Sequence, residues 1–249
     1  MEVKVSIITP CYNSSKYIEE TYQSIKNQTF KDWEWIIVDD CSTDHSVEII
    51  TQFRDPKIKL LRNNENLGAA ASRNKALVNA SGRYITFIDS DDLWKKNFLE
   101  ISLTYMANNQ ADLVYASYHR VDEELKPKLK DFIAIDYIDR KRILYNCPIP
   151  MLTSIYDSKH IGKIYFPDVD LREDHAMWID LLSKIKYARA IKEPLGIYRI
   201  REGSVSRNKK KIAIKQFELY YKYLKINLVK SGFYTLCWGV NGIMKYGKF

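Results

Sequence analysis

Apolar residues in the first hundred positions alternate between short continuous runs and segments with helical spacing. The runs Val3 to Thr9, Trp33 to Val38, Ile58 to Leu61 and Tyr84 to Ile88 read as β-strands. Between the first two, Ile18, Thr21, Tyr22 and Ile25 fall at i, i+3, i+4 and i+7, one face of a helix. Asp44 is placed to N-cap a helix through Val47, Ile50 and Phe53, and Gly68 precedes the helix-prone run Ala69 to Leu77. A further helix from Lys95 to Asn108 leads to a strand at Leu113 to Ala116. This βαβ alternation predicts an α/β fold with a doubly wound, mostly parallel sheet flanked by helices. After Tyr118 the alternation weakens. Lys126-Pro127-Lys128 marks a loop or sheet edge, and the two prolines of Cys147 to Met151 exclude a helix there.

Composition alters this picture mainly at the C-terminus. At 249 residues and 46% hydrophobic, the chain can bury a full core and fits one large α/β domain, or one domain with an appendage. Its net charge of +8 is unevenly placed. From Arg199 onward twelve Lys and Arg face only Glu202 and Glu218, a net of +10, against −2 for residues 1 to 198. Ile214, Phe217, Tyr221, Leu224 and Leu228 form a stripe at three- and four-residue steps, with Lys211, Lys215, Lys222 and Lys225 largely outside it, which predicts an amphipathic helical extension. Lys209 and Lys210 add to its charge. The aromatics among these cations, Tyr220, Tyr221, Tyr223, Phe233, Tyr234 and Trp238, suit an anionic membrane surface better than nucleic acid. A solvated helix packed on the main domain is the competing reading. Phe233 to Met244 is shorter than a bilayer span and is interrupted by Gly239 and Gly242, so no crossing is expected. The chain is thus divided into residues 1–118, 119–206 and a tail, 207–249. Cys11, Cys41, Cys147 and Cys237 form no C-x-x-C pair, and no secretory leader precedes Val3, which points to ordinary buried thiols in a reducing, cytoplasmic setting.

The candidate chemistry sits where strands end. Asp39-Asp40 follows the second strand and Asp89-Ser90-Asp91-Asp92 the fourth. The carboxyl ends of strands in an open α/β sheet line one crevice, so these clusters converge. Packed carboxylates repel one another, and a cation or hydrogen-bonding ligand between them relieves the repulsion. With Pro10-Cys11-Tyr12-Asn13 after the first strand and Arg73-Asn74 on the third helix, these pieces in this order resemble the inverting family 2 glycosyltransferases, of GT-A fold, over Val3 to Ser206. The resemblance implies a nucleotide-sugar site made of Pro10, Tyr12, Asn13, Asp39, Asp40, Arg73 and Asp89. An ionised Asp40 can accept the N3–H of uracil, and the ring of Tyr12 offers the base a flat apolar face. Asp89 and Asp91 match the family's Asp-x-Asp motif, which holds Mn²⁺ or Mg²⁺ against the donor diphosphate. Asp92 extends the run as an outer acceptor. Turn caps and a packed surface aromatic are the structural alternatives.

Glu173-Asp174, within Leu171 to Trp178, resembles the family's Glu-Asp motif at a helix start, whose second acid is the base. That assigns Asp174 to take the acceptor hydroxyl's proton, and His175 is expected to be a neighbour. The alternative is that both acids only complement a helix dipole. Where the family often has a metal-binding His, in the segment Ile197 to Ser206, this chain has Arg201. Arginine cannot ligate a metal but can pair with a diphosphate. The implied function is transfer of a hexose, glucose or galactose, from a UDP-sugar to a hydroxyl of an undecaprenyl-diphosphate-linked saccharide in O-antigen or capsule synthesis. The place implied is the cytoplasmic face of the inner membrane, with the tail on anionic lipid and no nucleic-acid partner. A nucleotidyltransferase on a similar sheet and a non-catalytic basic binding protein are the rival readings. No Gly-rich phosphate loop stands near the N-terminus to support the former.

Overall fold

A computed structural model of the chain describes residues 4–201 and 209–246, with side chains at 4–201 and 211–242. Val3, the segment Glu202 to Ser206 with the 206/207 boundary, and the side chains of Lys209 and Lys210 therefore lie outside the described residues.

Strand β2 (Trp33–Asp39) is buried at every position, and its two faces feed two cores. Ile36 and Val38 pack in one with Ala76 and Leu77, while Trp35 and Ile37 pack in the other with Ile18, Tyr22 and Ile25. A strand apolar on both faces is what a sheet sandwiched between helix layers requires. β1 (Val5–Cys11), β2, β3 (Ile58–Arg62) and β4 (Tyr84–Phe87) are mutually parallel in the order β3-β2-β1-β4. The helices α1 (Ile18–Lys26), α2 (Ser46–Gln52), α3 (Ala69–Asn79) and α4 (Phe98–Asn109) connect them and lead out, with α3 on one face and the others on the opposite one. The N-cap position of α2 is His45, not Asp44. Asp44 accepts instead from the Ser46 amide and hydroxyl at 3.0 and 2.5 Å and from the Ser15 amide at 2.9 Å, so it ties the α2 start to the loop after β1.

Beyond β4 the sheet becomes mixed, which the sequence pattern does not reveal. β5 (Leu93–Trp94), β6 (Leu113–Val121), β9 (Ser154–Asp157) and β10 (Ala188–Arg199) continue the order as β4-β9-β6-β10-β5. β9 runs antiparallel to both its neighbours, while β6 and β10 are parallel to each other. β7 (Pro127–Phe132) and β8 (Tyr137–Ile138) are short additions at the margin, and Pro127 opens the former, as an edge permits. The short α5 (Ser158–Ile161) follows β9, and α6 (Glu173–Leu181) packs its buried face on the same core as α3.

The tail is helical but not one amphipathic rod. α7 (Lys209–Glu218) passes into a π-turn, Leu219–Tyr223, and a left-handed Lys225 (φ 55°) ends the run before α8 (Leu228–Tyr246). The extra residue per turn shifts the helix face. Gln216, Leu219 and Tyr220 face the core, while Ile214, Tyr221 and Leu228 of the expected stripe are exposed and Leu224 packs partly. Gly239 and Gly242 do not interrupt α8. No helix among the described residues is long and apolar enough to cross a membrane. Of the four free cysteines only Cys11 is buried, and burial lifts its thiol to about pH 11; the other three are half-buried.

Candidate active site

β1 and β4 pair from Val5/Tyr84 to Ile8/Phe87, whereas β1 continues alongside β2 as far as Cys11/Asp39. Past Ile8 the two parallel strands therefore part, leaving a crevice at their carboxyl ends where the strand order reverses. Thr9 Oγ1 donates to the Ile88 carbonyl at 2.8 Å and holds the mouth. Pro10, half-buried, stands at this divergence, where β4 no longer asks for a ladder bond.

The loops after β1 and β2 form one wall. Asn13 adopts a left-handed backbone (φ 48°), which Asn tolerates, and its amide donates to Ser42 Oγ at 3.0 Å while its Oδ1 accepts from the Thr43 amide at 2.8 Å. Asn13 thus shapes the wall. Tyr12 beside it is 49% exposed, with its ring available to a planar ligand. Asp39 is fully buried and lies 3.4 Å from Arg62 Nε and from the Ser42 amide. Asp40 is buried too, and it accepts from Asn63 Nδ2 at 2.8 Å, the Leu67 amide at 2.9 Å and the Gly68 amide at 2.7 Å. It performs the turn-capping role named as its alternative. Gly68 (φ 87°) is the N-cap position of α3, a conformation that favours glycine. A carboxylate offers about four acceptor positions, so one is left unused by these three bonds.

The Asp-x-Asp turn forms the floor, and a residue missed in the sequence holds it. Arg199 on β10 is buried; its amide donates to Asp92 Oδ1 at 2.9 Å, its Nε to the Asp91 carbonyl at 2.9 Å and its Nη1 to the Glu123 carbonyl at 2.7 Å, and it pairs with Glu20. Thr21 Oγ1 and Ser14 Oγ reach Ser90 from the other side. Burial and the neighbouring Asp89 charge push the Asp91 carboxyl up to about 6, against the pull of Arg201 and Arg199. Asp92 is raised for the same reasons, burial first and then Asp91 and Asp89, and its Oδ1 is taken up by the Arg199 amide.

Two crowded hard-oxygen ligands suit Mg²⁺ or Mn²⁺, which keep water and phosphate oxygens in their shells. No group of three His, Cys, Asp or Glu that could enclose a metal occurs among the described residues, so the substrate would have to complete the shell. Arg201 lies where a third ligand would be expected: its Nε is 2.6 Å from Asp91 Oδ2, and its guanidinium lies 5.5 Å from the Tyr17 ring centre.

Arg73 joins this floor to the second half of the chain. Its side chain is buried, with Nη2 2.7 Å from Asp89 Oδ1 and Nη1 3.4 Å from Asp174 Oδ1. Burial alone would lower its pKa, but the charges of Asp89 and Asp174 outweigh that and raise it. Asp174 lies in the first turn of α6, with 47% of its side chain still open to solvent. Enclosure by the crevice walls raises its carboxyl, as does Asp89, while Arg73 opposes the rise. Glu173 is raised by burial and by Asp174. Residues 85 positions apart, Asp89 and Asp174, are thus brought to one guanidinium.

His175 points away from the crevice. It bonds the Ile143 carbonyl through Nε2 at 2.9 Å and Gln216 through Nδ1 at 3.1 Å, and burial lowers its pKa to about 4. Behind Asp174 lies a second residue missed in the sequence, Arg172, whose Nε and Nη2 are buried without a hydrogen-bond partner among the described residues. One signal was available for it: a cation two positions before the candidate base. The groove lined by Tyr137, Tyr187 and Arg189 lies at the amino end of β10, the end of the strand opposite Arg199, away from the crevice.

Known proteins resemble this chain over nearly its full length. The family described as glycosyl transferase family 2 matches residues 6–156. TuaG of Bacillus subtilis, named for teichuronic acid biosynthesis as a glycosyltransferase, is 37% identical over 97% of this chain and 96% of its own length. The Escherichia coli protein named UDP-Glc:alpha-D-GlcNAc-diphosphoundecaprenol beta-1,3-glucosyltransferase WfgD is 34% identical over 97% of this chain and 94% of its own. A crystal structure of residues 1-349 of S. aureus TarS in complex with UDP-GlcNAc superposes with a TM-score of 0.74 at 25% identity, covering 90% of this chain and 68% of that one.

Proposed function

Since this chain belongs to glycosyl transferase family 2 and is a glycosyltransferase, we propose that it is an inverting enzyme moving a hexose from a UDP-sugar to a hydroxyl of a lipid-diphosphate-linked saccharide in surface-polysaccharide synthesis. The observation that carries this reading is the single Arg73 guanidinium between Asp89 and Asp174, beside Asp91 at the parting of β1 and β4. It sets a diphosphate-facing carboxylate and a base on either side of one recess. Glucose or galactose is the hexose we propose.

On this reading the uracil lies against the ring of Tyr12, with Asp39 and the unused acceptor position of Asp40 near its polar edge. The likeness to TarS, whose structure holds UDP-GlcNAc, supports a uridine donor. Asp89 and Asp91 would hold Mn²⁺ or Mg²⁺, which when bound neutralises charge on the departing diphosphate as a Lewis acid. Arg73 and Arg201 add fixed positive charge at the same end of the donor. Asp174 accepts the proton of the acceptor hydroxyl as that oxygen attacks the anomeric carbon from the face opposite the diphosphate. A single displacement of this kind inverts the anomeric centre. Because its pKa is raised, Asp174 in its ionised form is a stronger base than an ordinary carboxylate.

The names of WfgD and WfaP of Escherichia coli, the latter 35% identical, support a diphosphoundecaprenol-linked sugar as acceptor. The outer face of α8 adds a physical reason. Val229, Phe233, Leu236 and Val240, spaced i, i+4, i+7 and i+11, are 81, 53, 67 and 47% exposed. Flanked by the exposed Lys225 and Lys230, this row suits the interface of an anionic leaflet, which we assign to the cytoplasmic face of the inner membrane. A screen of UDP-, GDP- and TDP-sugars for release of free nucleoside diphosphate, with and without Mn²⁺, tests the donor assignment. Release from UDP-sugars is expected, and preferential turnover of a GDP- or TDP-sugar would overturn it.

A further inference from the structure

Among the described residues, Arg172 is a cation close to Asp174 that the scheme above leaves without work. It occupies the N-cap position of α6, two residues before Asp174, and follows Leu171 in a left-handed conformation (φ 60°) that a leucine adopts only when its surroundings impose it. Two guanidinium nitrogens, Nε and Nη2, are shielded from solvent and bond nothing among the described residues. Asp174 and Glu173 act on it through space without a hydrogen bond, and Asp174 is already paired with Arg73. Its flat face lies 4.5 Å from the ring centre of Trp238 on α8. Cys147 and Tyr220 flank it, but the Tyr220 hydroxyl is committed to the Leu144 carbonyl at 2.6 Å. A shielded guanidinium with unused donors is a costly arrangement unless an anion completes it.

The surroundings indicate which anion. Arg73, Asp91, Arg201 and Tyr12 all belong to the donor side, on loops that follow β1, β4 and β10 and on α3. Arg172 is enclosed by the 147 loop, the π-turn and α8, all from the second half of the chain and the tail. Trp238 lies on the inner side of the helix whose outer side carries Val229, Phe233 and Leu236. We propose that Arg172 is the anion anchor of the acceptor site, taking a phosphate of a lipid-linked diphosphate so that the sugar on that phosphate reaches Asp174. The guanidinium fork matches phosphate oxygens, and its neighbour α8 is the element we place against lipid. This rests on the acceptor class proposed above. A carboxylate on a uronic donor sugar is the other anion of suitable chemistry, and the test separates the two.

Two measurements on the full chain decide the matter. In the first, binding of octyl diphosphate is measured by calorimetry with UDP at saturation, so that the donor site is filled. Arg172→Gln should weaken that binding by about ten- to a hundred-fold, the loss expected for hydrogen bonds to a charged group, with Arg172→Lys intermediate and UDP affinity retained. In the second, kcat/KM is compared for a diphosphate-linked acceptor sugar and the same sugar as a neutral octyl glycoside. Arg172→Gln should collapse the preference for the diphosphate. If octyl diphosphate binds wild type and Arg172→Gln alike, or both acceptors lose equally, Arg172 only seats Trp238 and the proposal is overturned. If only UDP-glucuronic acid loses affinity, the anion belongs to the donor and the proposal fails as well. Should wild type bind octyl diphosphate through Arg172 but transfer no sugar from any nucleotide donor, the functional reading falls while the anion site stands.

Discussion

At the residue scale the site depends on how few cations serve many carboxylates. Arg73 is shared by Asp89 and Asp174, and Arg201 is committed to Asp91, so each acid would meet its ligand beside a cation it already holds. That makes the Asp-x-Asp pair sensitive to small changes. Chelation with EDTA, or Asp91→Asn, should abolish transfer with the fold unchanged by circular dichroism, since charge stabilisation of this kind is worth several kcal/mol in the transition state. Full turnover in excess EDTA would hand the leaving-group role to Arg201 and Arg73. The acids were legible in the sequence because each stands at a strand or helix end, and Arg73 because it sits between them on α3, all in a fixed order. Arg172 and Arg199 were not: what marks them is an orphaned guanidinium and a four-way clamp, both products of tertiary packing.

At the element scale, α6 carries the proposed base, Asp174, and its anchorage, His175, side by side in its first turn. His175 is held neutral between the Ile143 carbonyl and Gln216 of α7, so its folded pKa of about 4 lies below the ordinary 6.5. Between these values the unfolded chain binds the proton and the folded chain does not, so this contribution is complete above pH 6.5 and is lost as pH falls toward 4. It amounts to about 3 kcal/mol. Thermal melts of wild type and His175→Gln should therefore converge as pH is lowered from 7.5 to 4.5, and parallel curves would show that His175 is not buried in its neutral form. The strands β1 to β4 followed the apolar runs within a residue or two at the described ends, since strands covered on both faces cannot hide their composition. The tail stripe failed because a π-turn and a left-handed Lys225 are not visible as periodicity.

At the scale of the whole molecule, the catalytic crevice and the basic tail are coupled through α6. Gln216 and Tyr220 fasten the tail to α6 and the neighbouring Arg142–Leu144 turn, and α8 presents its apolar row outward from there. In a liposome flotation assay the protein should rise with anionic vesicles at low salt and release as salt increases, each Lys near the surface contributing on the order of 1 kcal/mol. Changing Val229 and Leu236 together to Ser should abolish flotation. A double variant that floats like wild type would place the contact elsewhere. Lys215 is a poor probe of this charge, being paired with Asp170 and Glu218. The central claim, that one recess holds the donor's diphosphate end and the acceptor's base, is tested most directly by Asp174→Asn with a UDP-sugar and a lipid-diphosphate-linked acceptor. The turnover rate should fall by about two to four orders of magnitude, as loss of a general base entails, while UDP-sugar affinity stays near that of wild type. A fall in UDP-sugar affinity as large as the fall in rate, or no fall in rate, would contradict it.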